Sequence, residues 1–276
     1  RQGLRHATVT PYALDIGANG RGCRVSTADR VLSVLGLFTI EAPEWTVEEA
    51  ARALGLSNST AYEYFRSLVE AGLLVASKAG RYSVGPAIIE LDRVTRRFDP
   101  LTNAASGTLR DLVADLEVEA IGLLCRIYRL KVMCVDQYVR RPPTFAISYE
   151  RGRPMPLGRG AASKIILANL APRPLRRFYD GDPAAVAAAG LGDSWDAFKR
   201  TVRQIRKPGV LATVGELDAG LMGISAPVFG AGGDVLGSIG LVVSAADFLD
   251  HPARLEATMA AVRLAGEDVT GRLQAE

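Results

Sequence analysis

Histidine is nearly absent from this chain of 276 residues: there are two, His6 and His251. Neither stands at a telling spacing from a nucleophile, so hydrolytic catalysis lacks its usual proton carrier. Cysteine is almost as scarce. Cys23, Cys125 and Cys134 form an odd, scattered set. That set argues against a disulfide framework or a zinc site and fits a reducing cytoplasm. No apolar run approaches the roughly 20 residues needed to span a bilayer. Arg1 to Arg24 hold no apolar core of the kind a secretory signal needs. The expected location is therefore cytoplasmic, with no membrane partner. Gly230-Ala231-Gly232-Gly233 lacks the Lys-Ser/Thr of a phosphate loop and sits where a hairpin turn is needed. Gly240 to Ser244 is not a nucleophile elbow. The expectation is a protein that is not an enzyme, with no catalytic residues, cofactor or metal.

Strong charge of one sign is missing too. The net charge is +3. Between residues 25 and 85 the basic side chains are Arg30, Arg52, Arg66, Lys78 and Arg81. They are outnumbered by Asp29, Glu41, Glu44, Glu48, Glu49, Glu63 and Glu70. Any nucleic-acid contact there must come from a few placed cations, hydroxyls and helix N-termini. Arg1, Arg5, Arg21 and Arg24, with only Asp15 against them, could help from the tail.

What is present is organised. The length suggests two domains, and no internal repeat is visible. Residues 1–24 read as a flexible arm broken by Pro11, Gly17, Asn19-Gly20 and Gly22. Ser26 or Thr27 caps a helix to Phe38 with Val31, Leu32, Leu35 and Phe38 on its core face. Thr46 with Glu49 forms a capping box ahead of Val47, Ala50, Ala51 and Leu54. Gly55 ends that helix, Leu56 plugs the corner and Ser57 caps a second one from Asn58 to Ala71. Its inner face is Ala61, Tyr64 or Phe65, Leu68 and Val69; its outer face is Asn58, Ser59, Tyr62 and Arg66. Gly72 stops it, and residues 73–76 and 81–84 flank the turn Lys78-Ala79-Gly80 as a hairpin. Helix, turn, polar-fronted helix and hairpin make a winged helix-turn-helix, whose second helix fits the major groove.

Pro86 opens a linker helix carrying Ile88, Ile89, Leu91 and Val94 to Phe98. Asp99-Pro100 breaks it, and an amphipathic helix follows over 101–116. Strands are predicted over 120–128, 132–139, 144–149, 220–229 and 235–243. Helices are predicted from the Gly158–Ser163 start through Leu170, over 195–206 and from Pro252 to about Leu273. Helices flanking an antiparallel sheet make an α+β domain of the sort that holds a small molecule in a cup.

Three segments together resemble the IclR family of bacterial transcription regulators, over nearly the whole chain beyond residue 25. They are Leu54 to Tyr62 with Gly72-Leu73-Leu74 and Arg81 to Gly85; Pro156 to Lys164; and Ile205-Arg206 to Gly209 with Gly215-Glu216, Gly220-Leu221 and Ile224 to Val228. The resemblance implies a winged helix-turn-helix over 25–85, a linker helix over 86–100 and a GAF-like effector-binding domain over 101–276. It also implies dimers, often paired into tetramers, on palindromic double-stranded operators and tuned by a small organic acid. Two positions depart from it. Glu63 stands where the family usually has Arg, either as an altered base reader or as a partner of Arg66 at helical spacing. Gly223, Gly240 and Val242 stand where relatives often place Cys or Ser, leaving a cup stripped of polar groups.

The expected DNA-contacting set is Ser57, Asn58, Ser59, Thr60, Tyr62, Glu63, Arg66, Lys78 and Arg81. The expected effector-binding set is Ile147, Met155, Gly160, Ala161, Ala162, Leu221, Met222, Gly223, Gly240 and Val242. Backbone N–H groups at 160–162 would hold a carboxylate at a helix start. Glu216 is expected to hold a loop. A matching ligand has one carboxylate and an apolar, plausibly aromatic body, and Gly240→Val should exclude it. The rival reading is a ligand-sensing protein whose acidic winged helix contacts protein rather than DNA.

Overall fold

A computed structural model describes residues 26–275, so the arm over 1–24 lies outside it. The chain divides into a unit ending at Arg97 and a unit beginning at Phe98.

In the first unit local chemistry sets the element ends. Ser26 and Asp29 cap α1 (Thr27–Leu35) reciprocally. Gly36 closes it before the predicted end at Phe38, and the buried side chains are Val34 and Leu37, while Leu32 faces outward. Thr46 forms the capping box of α2 (Val47–Leu54): its hydroxyl accepts the Glu49 N–H at 3.2 Å and Glu49 Oε2 accepts the Thr46 N–H at 2.9 Å. That second bond holds the Glu49 carboxyl below the usual range. Gly55 turns the corner at φ 66°, where a Cβ would be strained. Ser57 caps α3 (Asn58–Glu70), which buries Ala61, both Tyr64 and Phe65, and Leu68. The wing has three strands rather than two. β1 (Trp45–Thr46) joins β2 (Leu74–Ala76) and β3 (Arg81–Val84) in the order β1-β3-β2. The extra strand is two residues long, too short for any periodicity to reveal. α4 (Ala87–Phe98) follows.

The second unit starts with α5 (Pro100–Ala114), capped by Asp99, whose other oxygen pairs with Arg126 at 2.5 Å. Its sheet contains β4 (Ala120–Tyr128), β5 (Lys131–Val139), β6 (Pro154–Pro156), β7 (Leu211–Val214), β8 (Leu221–Phe229) and β9 (Val235–Ser244). The order is β6-β5-β4-β9-β8-β7, antiparallel throughout. Helices α6 (Ala161–Ala168), α7 (Pro172–Gly181), α8 (Pro183–Ala188), α9 (Trp195–Arg206), α10 (Ala246–Leu249) and α11 (Pro252–Ala275) complete it.

Alternation along the strands separates two cores. Met222, Ile224, Ala226 and Val228 of β8 pack with α5 and α11, and Thr108 of α5 donates to Asp268 of α11 at 2.6 Å. Ile121, Leu123 and Cys125 of β4 pack on the opposite face with α6 and α9.

Two predictions are corrected here. Residues 144–149 form no strand: Thr144 instead donates its N–H and hydroxyl to Glu119, and the edge beside β5 is taken by β6, with Lys131 opposite Pro156. The cysteines are not all scattered. Cys125 and Cys134 face each other across β4 and β5 as buried free thiols, and the contact with Cys134 together with burial pushes the Cys125 thiol up.

The β4–β5 turn is built from Arg129 at φ 50° and Leu130 at φ 58°, both in the left-handed region. Such a residue costs about 1–2 kcal/mol unless it is Gly, Asn or Asp. Arg129→Asn is therefore expected to stabilise the second unit by roughly 0.5–1 kcal/mol, net of the lost Arg129–Tyr128 stacking. Urea unfolding followed by far-UV circular dichroism measures it, and an unchanged or lower midpoint would count against strain at this turn.

Candidate functional site

In the first unit the candidate surface is the outer face of α3. Gly55 and the Leu56 N–H bond to Ala51 O at 2.9 Å fix the turn. Ser57 Oγ accepts the Thr60 N–H at 3.2 Å and lies within 3.0 Å of Ser59 Oγ and 2.8 Å of Thr60 Oγ1. These hydroxyls cluster at a helix N-terminus, where the backbone dipole favours an anion. Asn58, Ser59, Tyr62, Glu63 and Arg66 are exposed, with Tyr62 at 56%. Inward packing of Tyr64 and Phe65 leaves Tyr62 no core to enter.

The cations are less free than the sequence suggests. Arg66 pairs with Glu63 at 2.9 Å and approaches Glu70 at 3.9 Å. Arg81 is tied to Glu44 at 3.3 Å and to Glu49 at 3.5 Å. Lys78 projects from the wing turn, exposed.

In the second unit a cavity of about 40 Å³ opens where α6 meets β7, β8 and β9. Of the expected effector set, Gly160, Ala161, Ala162, Leu221, Gly223 and Val242 line it. Gly160, at φ 80°, precedes α6 and carries no side chain to cap it. The first-turn N–H groups of a helix have no intrahelical partner, so this end of α6 presents donors toward the cavity. Ala161 N lies 3.9 Å from where a Cβ on Gly223 would stand.

Four expected members sit elsewhere. Met222 is buried on the α5–α11 side, as its place between Leu221 and Gly223 dictates. Met155, opposite Val132 on β6, and Ile147 pack in the α6-side core away from the cavity. Gly240 pairs with Ser225, and the room it leaves is already taken: a Cβ there would run into Ile224 O and Ser225 Oγ and come 2.8 Å from Ser225 Cα.

The expectation of a cup stripped of polar groups is overturned. Tyr149, Thr213, Glu216, Asp218 and Ser225 line it, with Leu123 and Leu241 among the apolar walls. Ser225 follows from period two after Leu221 and Gly223. Tyr149 and Thr213 come from segments distant in sequence and carried no such signal. Tyr149 is bonded to Ser163 at 2.6 Å, and burial pushes its hydroxyl well above the usual phenol range. Glu216 Oε2 accepts the Gly160 N–H at 2.9 Å, and Oε1 accepts from Lys164 Nζ at 2.6 Å. Among the described residues no three His, Cys, Asp or Glu side chains gather to hold a metal, and no helix is long and apolar enough to cross a membrane.

The helix-turn-helix with its wing, and the sheet domain with its cavity, match two family descriptions. "IclR helix-turn-helix domain" covers residues 27–77, and "Bacterial transcriptional regulator IclR C-terminal" covers residues 97–270. The HTH-type transcriptional regulator XynR of Escherichia coli (strain K12) is 22% identical over 220 residues, which are 79% of this chain and 85% of XynR. Among solved structures, an IclR-type regulator from Silicibacter sp. TM1040 superposes with a TM-score of 0.73 at 20% identity, covering 90% of this chain and 96% of that one. An IclR homologue from Microbacterium hydrocarbonoxydans, in complex with 4-hydroxybenzoate, superposes with a TM-score of 0.72 at 19% identity, covering 91% of this chain and all of its own, 100%. With both family descriptions in order and together spanning most of its length, the chain belongs to the IclR family of bacterial transcription regulators.

Proposed function

We propose that this regulator acts in the cytoplasm as a homo-oligomer, a dimer or a pair of dimers. It binds a palindromic operator through α3 and the wing, and it responds to a small aromatic acid held in the cavity of its second unit. The observation that carries the ligand reading is a helix start beside a cavity whose remaining walls include Leu123, Leu221, Leu241 and Val242. Backbone N–H groups suit a carboxylate, and apolar walls reward a ring at about 25 cal/mol per Å² covered. A two- or three-carbon keto acid leaves those walls bare. The 4-hydroxybenzoate held by the Microbacterium homologue points the same way. Tyr149, Thr213 and Ser225 offer hydrogen bonds to a ring substituent.

The homo-oligomer is supported by α4. Ile88, Leu91, Val94 and Phe98 fall along one stripe of this helix, and none of its residues is buried. An uncovered apolar stripe of that length suits a second copy of the same helix.

On DNA, Ser57, Asn58, Ser59 and Thr60 would meet phosphate at the α3 N-terminus. Tyr62 and Arg66 would face the bases, and Lys78 would reach backbone from the wing. Arg81 is proposed to brace the wing through Glu44 and Glu49. A gel shift against DNA upstream of its own and neighbouring genes tests the reading. Binding should weaken steeply as salt rises, by counterion release; salt-independent behaviour would favour the rival, a winged helix that docks on protein.

Two outcomes are expected once an operator is in hand. Tyr62→Ala should weaken binding by about 1–3 kcal/mol, the worth of one good base contact; unchanged affinity removes Tyr62 from the interface. In a thermal-shift panel, benzoate and 4-hydroxybenzoate should stabilise the protein more than pyruvate or glyoxylate at equal concentration. Stabilisation by the keto acids alone would overturn the aromatic reading.

A further inference from the structure

One wall of the cavity is a loop. Segment 215–220, joining β7 to β8, contributes Gly215, Glu216, Leu217 and Asp218 to its lining. The segment is hinged at both ends by glycines in the left-handed region, Gly215 at φ 64° and Gly220 at φ 76°. Backbone bonds hold its ends, Gly215 N–H to Leu221 O and Ala245 N–H to Gly220 O, both at 2.9 Å, and three further contacts fasten its middle. Glu216 spans from the Gly160 N–H, at 2.9 Å, to Lys164 Nζ, at 2.6 Å. Arg159 donates to the Glu216 carbonyl. Asp218 accepts the Ser148 N–H at 2.9 Å and the Ser148 hydroxyl at 2.5 Å. Leu217 lies so close over Gly160 that a Cβ on that residue would stand 2.7 Å from Leu217 Cδ1.

The Gly160 N–H at the start of α6 is therefore already taken, and by a carboxylate.

We propose that segment 215–220 is a strap latched shut by Glu216, and that an acid effector enters by taking the latch's place. This rests on the acid-effector reading above and adds its trigger. Glu216 is a carboxylate already seated where a ligand carboxylate would go, on an N–H at the start of α6 and beside an ammonium. One helix end and one lysine support one carboxylate; a second at the same donors is repelled by the first. Binding is therefore an exchange. The incoming acid takes the Gly160 N–H and the Lys164 ammonium, Glu216 swings out to water, and Gly215 and Gly220 absorb the change. The liganded and free forms then differ by an open strap, the differential contact through which a ligand shifts a conformational equilibrium.

The test uses the full chain, with benzoate and 4-hydroxybenzoate as probes in isothermal titration calorimetry. Glu216→Ala removes the competitor and should bind either acid at least tenfold more tightly than the parent. Glu216→Gln keeps the shape and a weaker hydrogen bond, so it folds as the parent does and should fall between the two. Hydrogen exchange supplies a second readout: amides of 215–220 should exchange faster in Glu216→Ala without ligand, and faster in the parent when benzoate is saturating. If the parent binds an acid and both variants bind it equally or more weakly, Glu216 builds the site and the latch is wrong. Slower strap exchange in benzoate-bound parent is equally fatal to it. If parent and variants all ignore both acids, the aromatic-acid reading falls and the latch falls with it.

Discussion

Gly240→Val is expected to unfold the second unit rather than to exclude a ligand. The strand position invites the opposite view, because Gly240 shares a face with Val242, which does line the cavity. Yet the added atoms have nowhere to go. Ile224 O and Ser225 Oγ of the neighbouring strand occupy the space, and Ser225 Cα lies 2.8 Å from the new Cβ. Side chains relieve overpacking by changing rotamer at a cost of about 1–3 kcal/mol; backbone paired in the middle of a sheet has no such escape. β8 and β9 pair over almost their full length at the centre of both cores. The loss should exceed roughly 3 kcal/mol, read as a collapsed urea midpoint or insoluble protein. The ligand-excluding change is Gly223→Ala. Its Cβ would meet Ala161 Cβ at 3.4 Å and Thr213 Oγ1 at 3.7 Å, ordinary contacts within the cavity lining. Replacing a strand glycine this way also removes unfolded-state freedom. The fold should therefore hold within about 1 kcal/mol while binding of benzoate is lost. A Gly240→Val protein with parental stability, or a Gly223→Ala protein with parental affinity, would show that the two glycines have been placed in the wrong roles.

The contrast between these glycines marks how far the sequence could be read. The capping residues at Ser26, Thr46 and Ser57 and the left-handed Gly55 declare themselves through local spacing, and the helices they bound were predicted to within a few residues. The long strands of the second unit show the same kind of local signal. What escaped depends on partners far along the chain. β7 is three half-buried residues and one exposed one, whose identity as a strand comes only from pairing with β8. α7 opens on Pro172-Arg173-Pro174, which reads as a broken loop until the chain beyond it packs Leu175 inward. Residues 144–149 have strand-like alternation, but Glu119 takes the Thr144 N–H that a ladder would need. The cavity divides along the same line. Its helix start was legible from Gly160-Ala161-Ala162, and period two places Gly223 and Ser225 on one face and Met222 on the other. That Ser225 fills the space at Gly240, that Tyr149 reaches Ser163, and that Glu216 sits on the α6 N-terminus are facts of three-dimensional packing.

Glu63→Arg should raise affinity for every DNA sequence alike and leave the preferred one unchanged. Two roles were open for Glu63, base reader or partner of Arg66, and the 2.9 Å pair supports the second. Both side chains are more than half exposed, at 59% and 57%, and surface pairs at this helical spacing are worth only about 0.2–0.5 kcal/mol. Such a pair does not fix Arg66 permanently; it holds the guanidinium over α3 until a stronger anion draws it away. Phosphate or a guanine edge is that anion. In the parent, each approach to DNA then loosens the Glu63 pair and brings a carboxylate toward the backbone. The substitution removes that carboxylate, frees Arg66 from its nearest partner and adds a second cation one turn from it. Neither change depends on base identity if the new arginine reaches phosphate. The expected gain is about tenfold or more at low salt, some 1.4 kcal/mol, and each added phosphate contact steepens the fall of log affinity with log salt by roughly 0.9. Selection from a random DNA pool, run in parallel on parent and variant, separates the roles. Matching consensus sequences with a steeper salt slope for the variant bear out the pairing role. A consensus that moves toward guanine at one half-site position would show instead that Glu63 reads a base.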